Sequence, residues 1–525
     1  MKLRFNLKGL SITLLKDYAE HHVSNKISVS RWFILLYVAI GFIGVFAWIY
    51  YFNNNLTLSY NDARSHLNIS RRVVDSLQPG FAQIGSVWLP LQHLLQLPLI
   101  WIDPLFRTGL AGSIISILSY VGSAYFIIRI AKALNINFLG TLTAIVVFCL
   151  NPNLLFLQTT PMTESLMLLT SLGMTYYFVK WVKFQSLSDL IICGLFTFLG
   201  MLTRYDGWFL FGFILIAVSV VSVLRRSLKQ VESNIIIYAT LSFFAVALWL
   251  GWNGLIFGDP LYFINGGFSA KAQQDILLAQ GRLFTKGNLS LSTYTYVLAI
   301  VLNSGLIITI LGLLGILKEL VTNRTILIRA AVFVLLAPIA FNIVSLFLGQ
   351  SVIHLPQLPP YTWFNIRYGI MALPFIAIGA ALLVNKRTIA SILLIIIVLV
   401  NYGNMQLNNN IITIEDGVRG SSGYFLDDIG SWMHNNVKEN ELILVAASSH
   451  DALIFISGLP LNQFITEGTG KYWKESLVNP TKHASFIVMH EGDLVYKAIN
   501  NKPIFTKNYK LVYKGEFSNV YKKNK

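Results

Sequence analysis

Asp62 and His66 stand four residues apart in the segment YNDARSHL, and so share one face of any helix formed there. A carboxylate in that place, directly after a long apolar run and at a membrane surface, can take the proton of an acceptor hydroxyl as a general base. The competing reading makes Asp62, or Asn61, a helix cap and His66 an ordinary polar loop residue. Glu164, in TTPMTESL, opens another apolar run behind Thr160 and Thr163, which could cap it. An acid at that depth is costly unless it faces a polar cavity, so Glu164 is a candidate for positioning an acceptor or base; alternatively it serves the helix dipole as a first-turn acid. TRYDGW holds Arg204 and Asp206 in one short turn, where they can pair with each other or touch substrate. Arg367, in FNIRYGIMALP, heads a further apolar run, where a guanidinium can grip phosphate oxygens bidentately or simply snorkel to the interface. Lys271, Arg282 and Lys286 lie in a long polar segment with glycines and aromatics, able to fold over an anionic head group.

These residues fall at the ends of apolar runs, and the runs dominate the chain. Of 525 residues 55% are hydrophobic and only 12% charged, with a mean hydropathy of +0.61. A span needs about 20 apolar residues, and about eleven such runs recur from Arg31 to Asn404. The expected architecture is a polytopic α-helical membrane domain over residues 31–404, following a basic cytoplasmic leader over 1–30 that carries Lys2, Arg4, Lys8, Lys16 and Lys26. Positive charge then recurs at Arg129 and Lys132, Lys180 and Lys183, Arg225 to Lys229, Lys318 to Arg329, and Lys386 and Arg387, marking cytoplasmic turns. The first outer loop, 53–108, is unusually long; Asn61 to Ser76 reads as a helix, and Trp88 to Trp101 as an apolar interfacial segment too short to span. Arg204 and Arg367 fall on the non-cytoplasmic side, against the usual charge bias of short turns.

Beyond the last run the pattern changes to alternating polar and apolar residues. Glu441 to Ala447 and Ala484 to Met489 read as strands and Tyr424 to Val437 as a helix, giving a small α/β domain over 405–525 on the non-cytoplasmic side. The net charge of +16 belongs to helix ends and lipid head groups rather than to nucleic acid. Cys149 and Cys193 sit inside apolar runs as small buried hydrophobes. The phosphate-cradling, dinucleotide and paired-cysteine or HExxH metal patterns are absent, so neither a nucleotide nor a divalent metal is implied as cofactor.

In order along the chain, YNDARSH, GSVWLPLQHLL, PMTE, TRYDGW, FGDPLYF and NIRYGIMALP resemble the GT-C superfamily of membrane glycosyltransferases, particularly its protein O-mannosyltransferase-like and aminoarabinose-transferase-like members. That resemblance implies Asp62 as the general base and a donor sugar carried on a polyprenyl or dolichyl phosphate. It makes Arg204, Lys271, Arg282 and Arg367 candidates for the phosphate. The chain departs from protein mannosyltransferases in following Asp62 with Ala63, where they show an adjacent acidic pair, and it lacks the WWDYG signature of oligosaccharyltransferases. The expected reaction is a single, inverting displacement onto an acceptor hydroxyl, the acceptor being a glycan, lipid or protein. A transporter or flippase of a lipid-linked sugar, and a noncatalytic envelope-assembly subunit, are the competing functions. Convergence of Asp62, Glu164, Arg204 and Arg367 on one cavity is the feature that discriminates among them.

Overall fold

Long apolar sequences close their backbone hydrogen bonds within helices, the only open-chain solution in hydrocarbon. The computed structural model describes residues 31–225, 228–267, 269–322, 325–420 and 426–524; the basic leader, Arg226, Arg324 and Tyr424 lie outside the described residues. Among the described residues seven helices are long and apolar enough to cross a membrane: residues 34–53, 110–133, 206–224, 230–257, 326–348, 366–384 and 388–419. Each remaining apolar run is also helical, although not as a simple span. Phe138–Cys149 and Leu187–Met201 are short, and Glu164–Phe184 carries charge at both ends. The run after Leu289 was expected to cross once; instead Leu289–Ser304 and Leu306–Thr322 meet at a bend of 109°. Gly305 lies between them at φ +87°, a conformation open to glycine that ends the first helix. The chain is a multi-pass integral membrane protein.

Small residues let some of these helices touch backbone to backbone. Gly315 faces Gly379, and a Cβ built on Gly315 would overlap the Gly379 carbonyl. Gly315→Ala is therefore expected to push the two helices apart at a cost of about 1–3 kcal/mol. It should lower the unfolding midpoint of the detergent-solubilised chain, whereas Gly251→Ala, with nothing within 4 Å of the added methyl, should not. Equal midpoints for the two variants would refute the close-packing account.

In the first loop a helix runs over Asn61–Arg72, shorter than expected, with Asp62 in its first turn and Arg71 and Arg72 in its last, as the helix dipole favours. Neither Asn61 nor Asp62 caps it: Tyr60 occupies the cap position without a side-chain bond. Asn61 Oδ1 instead accepts from Arg64 Nη2 at 2.6 Å. The short apolar segment becomes the helix Leu91–Ile100, which buries Gln92, His93 and Gln96 along with Ile100.

The C-terminal part forms one five-stranded sheet in the order β2-β1-β3-β5-β4, with β1 at Ile443–Val445, β2 at Phe464–Ile465, β3 at Phe486–Met489, β4 at Tyr509–Lys514 and β5 at Asn519–Lys523. β1 pairs in parallel with both β2 and β3, and β5 pairs antiparallel with β3 and β4. The expected strands and helix are present but shorter, the helix at Asp427–Asn436. Alternation splits the strand residues between two faces. Ile443, Val445, Phe486 and Val488 pack into a core shared with Leu67, Ile100 and Phe106 of the first loop. Leu444, Ile487 and Met489 pack against Val495 and Phe505 on the other face. One apolar core thus joins the sheet to the loop helices, and it fixes the Asn61–Arg72 helix from one side.

Candidate active site

Four segments far apart in sequence bring their charges together around Arg367. Its Nη2 meets Asp62 Oδ2, its Nε lies 3.0 Å from Glu164 Oε1, and its Nη1 lies 3.7 Å from Asp416 Oδ2. The Asp416 carboxylate also accepts from the Arg367 backbone N–H at 3.4 Å. The guanidinium is flanked by two rings, Tyr60 at 4.8 Å and Tyr368 at 5.2 Å. Arg204 forms the second centre: Nη1 lies 3.2 Å from Glu164 Oε1, Nε lies 3.3 Å from Asp206 Oδ1, and Nη1 also donates to Thr163 Oγ1 at 3.2 Å. The same Tyr368 ring covers Arg204 at 4.8 Å.

Local sequence explains the placement. A 3-10 turn over Ile366–Ala372, opening the span that runs to Val384, swings Arg367 inward from the helix head. The Glu164–Phe184 helix begins with Thr163 at its cap position but no side-chain cap, so the Thr163 hydroxyl is left to Arg204 rather than to its own helix. Arg204 and Asp206 stand on the tight turn between Leu187–Met201 and Asp206–Arg225.

Burial separates the carboxylates by task. The Asp62 side chain keeps 40% of its surface exposed, whereas Glu164 is 1% exposed and has Oε1 shared by both arginines. Asp62 can therefore meet an incoming hydroxyl; Glu164 bridges and orients guanidinium groups. Asp416 is buried, and Tyr60 lies with its hydroxyl 2.7 Å from the Thr413 carbonyl and 3.3 Å from Asp416 Oδ2. Burial, with Asp416 alongside, holds the Tyr60 phenol well above its ordinary pKa, so it stays a neutral donor.

Asp62, Glu164, Arg204, Asp206 and Arg367 are thus brought together. Arg204 and Asp206 pair with each other, one of the two outcomes their spacing allowed. His66 is adjacent but enclosed: its Nδ1 lies 2.9 Å from His93 Nε2 and its ring packs on Trp88 at 4.5 Å. Lys271 and Arg282 do not join the cluster. Both are exposed, and Arg282 lines a separate small pocket of about 80 Å³ with Leu283, Phe284, Val352, Ile353 and His354. Asp416, Tyr60, Tyr368 and His93 belong to the site's surroundings and escape a reading of sequence; the only trace of Asp416 is a polar, amphipathic stretch, ITIEDGVR, following the last apolar run. Among the described residues no group of three or more His, Cys, Asp and Glu side chains is placed to hold a metal ion.

The His66–His93 pair carries a pH signature. Burial, reinforced by Arg204 and Arg367, lowers His66 to about 3, and burial beside His66 and Arg72 lowers His93 well below its ordinary value. Above pH ~6.5 both are neutral in the folded and the unfolded chain. Below it the unfolded chain binds protons that the folded chain refuses, so stability falls with pH by up to about 1.4 kcal/mol per unit for each ring. The unfolding midpoint is expected to drop between pH 7 and pH 5, and His93→Gln to make that drop shallower. An identical slope in the variant would show that the pair does not govern it.

A multi-pass helical membrane domain, a C-terminal α/β unit and an arginine–carboxylate cluster at the helix ends make up an architecture that solved membrane-protein structures share. ArnT from Cupriavidus metallidurans bound to undecaprenyl phosphate superposes with a TM-score of 0.57 and 11% identity, over 94% of this chain and 98% of that one. The apo state of the same protein gives 0.57 and 12% over the same shares. No family model and no curated protein matches the sequence. At this identity the likeness establishes the fold, which extends over nearly the whole of both chains.

Proposed function

We propose that this protein is a GT-C membrane glycosyltransferase that moves a sugar from a polyprenyl-phosphate carrier to an acceptor hydroxyl at the non-cytoplasmic surface. The observation that carries the reading is the convergence of Asp62, Glu164, Arg204 and Arg367, which come from four separate segments. The undecaprenyl phosphate held by a protein of the same fold supports the carrier.

In the proposed step the Asp62 carboxylate accepts the proton of the acceptor hydroxyl, the oxygen attacks the anomeric carbon, and the bond from that carbon to the phosphate oxygen breaks. Polyprenyl phosphate leaves with the bonding pair, and the anomeric centre inverts. Arg204 and Arg367 are already matched by carboxylates. Lys271 and Arg282 form no ion pair among the described residues, so they are the better candidates for the lipid phosphate, with Arg282 lining a small, mostly apolar pocket. Lys271 and Arg282 would supply the positive charge at the phosphate, and no divalent metal is implied. In this reading the basic turns at Arg129 and Lys132 and at Lys386 and Arg387 face the cytoplasm, so the cluster and the C-terminal α/β unit face the side where lipid-linked donors are presented.

The test is transfer of labelled sugar by the purified full chain in lipid nanodiscs, given a panel of undecaprenyl-phosphate monosaccharides and a membrane and envelope extract as acceptor source, with and without EDTA. One donor is expected to yield labelled product in both conditions. Failure of every donor to react or to raise the unfolding midpoint would reject the reading.

A further inference from the structure

The Asn61–Arg72 helix carries polar residues on two stripes. Asp62, His66 and Ser70 are spaced i, i+4, i+8 and meet the membrane domain and the Leu91–Ile100 helix: Asp62 on Arg367, His66 on His93, and Ser70 Oγ on Gln96 Oε1 at 2.7 Å. Arg64, Asn68 and Arg72 repeat that spacing two residues later, about 200° around the helix. This second stripe meets the C-terminal α/β unit. Arg64 Nε pairs with Asp451 Oδ2 at 3.1 Å, with both side chains under one-tenth exposed, and Asn68 Nδ2 donates to the Asp451 carbonyl at 3.5 Å. Arg72 reaches Gly468, where an added Cβ would stand 3.1 Å from its Nη1.

We infer that the C-terminal α/β unit is the positioning element for Asp62, with Asp451 as the residue that sets the rotation and register of the helix that carries it. This rests on the glycosyl-transfer reading for its catalytic consequence, not for its geometry. Residues i and i+2 face opposite sides of a helix, so the Asp62–Arg367 and Asp451–Arg64 pairs grip a single turn from both flanks. Arg64 also donates to the Leu58 carbonyl and Asn61 Oδ1, and so ties the chain entering the helix to the same anchor. Asp451 is itself held firmly. It follows His450, whose φ of −131° breaks the Ala447–Ser457 helix and whose ring is fixed 2.8 Å from Ser518 Oγ and 3.0 Å from the Ala446 carbonyl, at the end of β1. With the pair broken, Arg64 is a buried cation without its carboxylate, and the turn must shift to hydrate it. A displacement of about 1 Å at a reacting group costs on the order of 100-fold in rate.

The experiment compares Asp451→Ala, Asp451→Glu and the double variant Arg64→Met/Asp451→Leu in the full chain. Asp451→Ala, which removes the acceptor altogether, is expected to lower kcat by about 10- to 100-fold with donor KM within about threefold. It should also speed amide exchange across Asn61–Arg72 at least ~10-fold, while β1 and β3 keep their protection. Asp451→Glu should recover most of the rate. The double variant, with no charge left buried, should match the wild type in unfolding midpoint and still be slow. Wild-type kcat in Asp451→Ala, or exchange rising throughout the sheet in step with a lost midpoint, would overturn the inference. If the wild type turns over no donor, the glycosyl-transfer reading fails, and the exchange pattern alone still decides whether Asp451 positions the helix.

Discussion

Asp62→Asn is expected to lower kcat by roughly two to four orders of magnitude, the span that a positioned general base contributes, while leaving the protein folded and able to bind donor. The amide keeps the shape of the carboxylate and can still accept from Arg367 Nη2 through its oxygen, so the contact that ties the first-loop helix to the Ile366–Ala372 turn is retained. What is lost is the basic oxygen. Asp62 is the most exposed of the carboxylates around Arg367, at 40% against 1% for both Glu164 and Asp416, so it is the one a hydroxyl can approach without dismantling the cluster. Near-normal transfer in this variant, assayed with the donor the panel identifies, would remove Asp62 from the role. Glu164→Gln is not an equivalent experiment, because that carboxylate is shared by two arginines, and its loss changes their geometry as well as any chemistry.

The sequence made the membrane domain legible because a run of about 20 apolar residues has few other uses, and each run is indeed helical. It made the break at Gly305 hard to see, because apolar residues resume directly on both sides of the short Asn303–Gly305 interruption, while one left-handed residue turns the chain through 109°. The site was legible to the extent that burying charge is costly: Glu164, Arg204 and Arg367 stand out because apolar surroundings make an ionisable side chain conspicuous. Asp416 lies in a polar stretch where one more carboxylate carries no signal, and only the packing of Ile412–Arg419 against the Ile366–Ala372 turn brings it to Arg367. The same blindness affects caps. Asn61, Asp62 and Thr163 have the side chains that capping prefers, but a guanidinium within reach makes a stronger, charge-assisted bond with each of them. Guanidinium partners, Arg64 within the same helix and Arg204 and Arg367 from distant segments, thus overrode the capping preference at the positions where the site is built.

Arg367→Met should be the most damaging single change to stability, because it removes one cation from three carboxylates at once. Breaking a buried ion pair by deleting one partner costs about 3–5 kcal/mol, most of it from the charge left behind. Here Glu164 retains Arg204, but Asp416 keeps only the Tyr60 hydroxyl and backbone donors, and Asp62 loses its tether. The methionine fills a similar volume between the Tyr60 and Tyr368 rings, so packing loss is a minor part of the effect. The detergent-solubilised variant is expected to unfold several degrees below the wild type. Adding Glu164→Gln and Asp416→Asn to it should recover much of that loss, since the stranded charges go with their partner, but should not restore transfer, because nothing then aims Asp62. Arg367→Lys should fall between, as a single ammonium cannot reach three carboxylates from one planar fork. A single Arg367→Met variant as stable as the wild type, or a triple variant no more stable than the single, would show that the cluster's charges are screened by water rather than by one another.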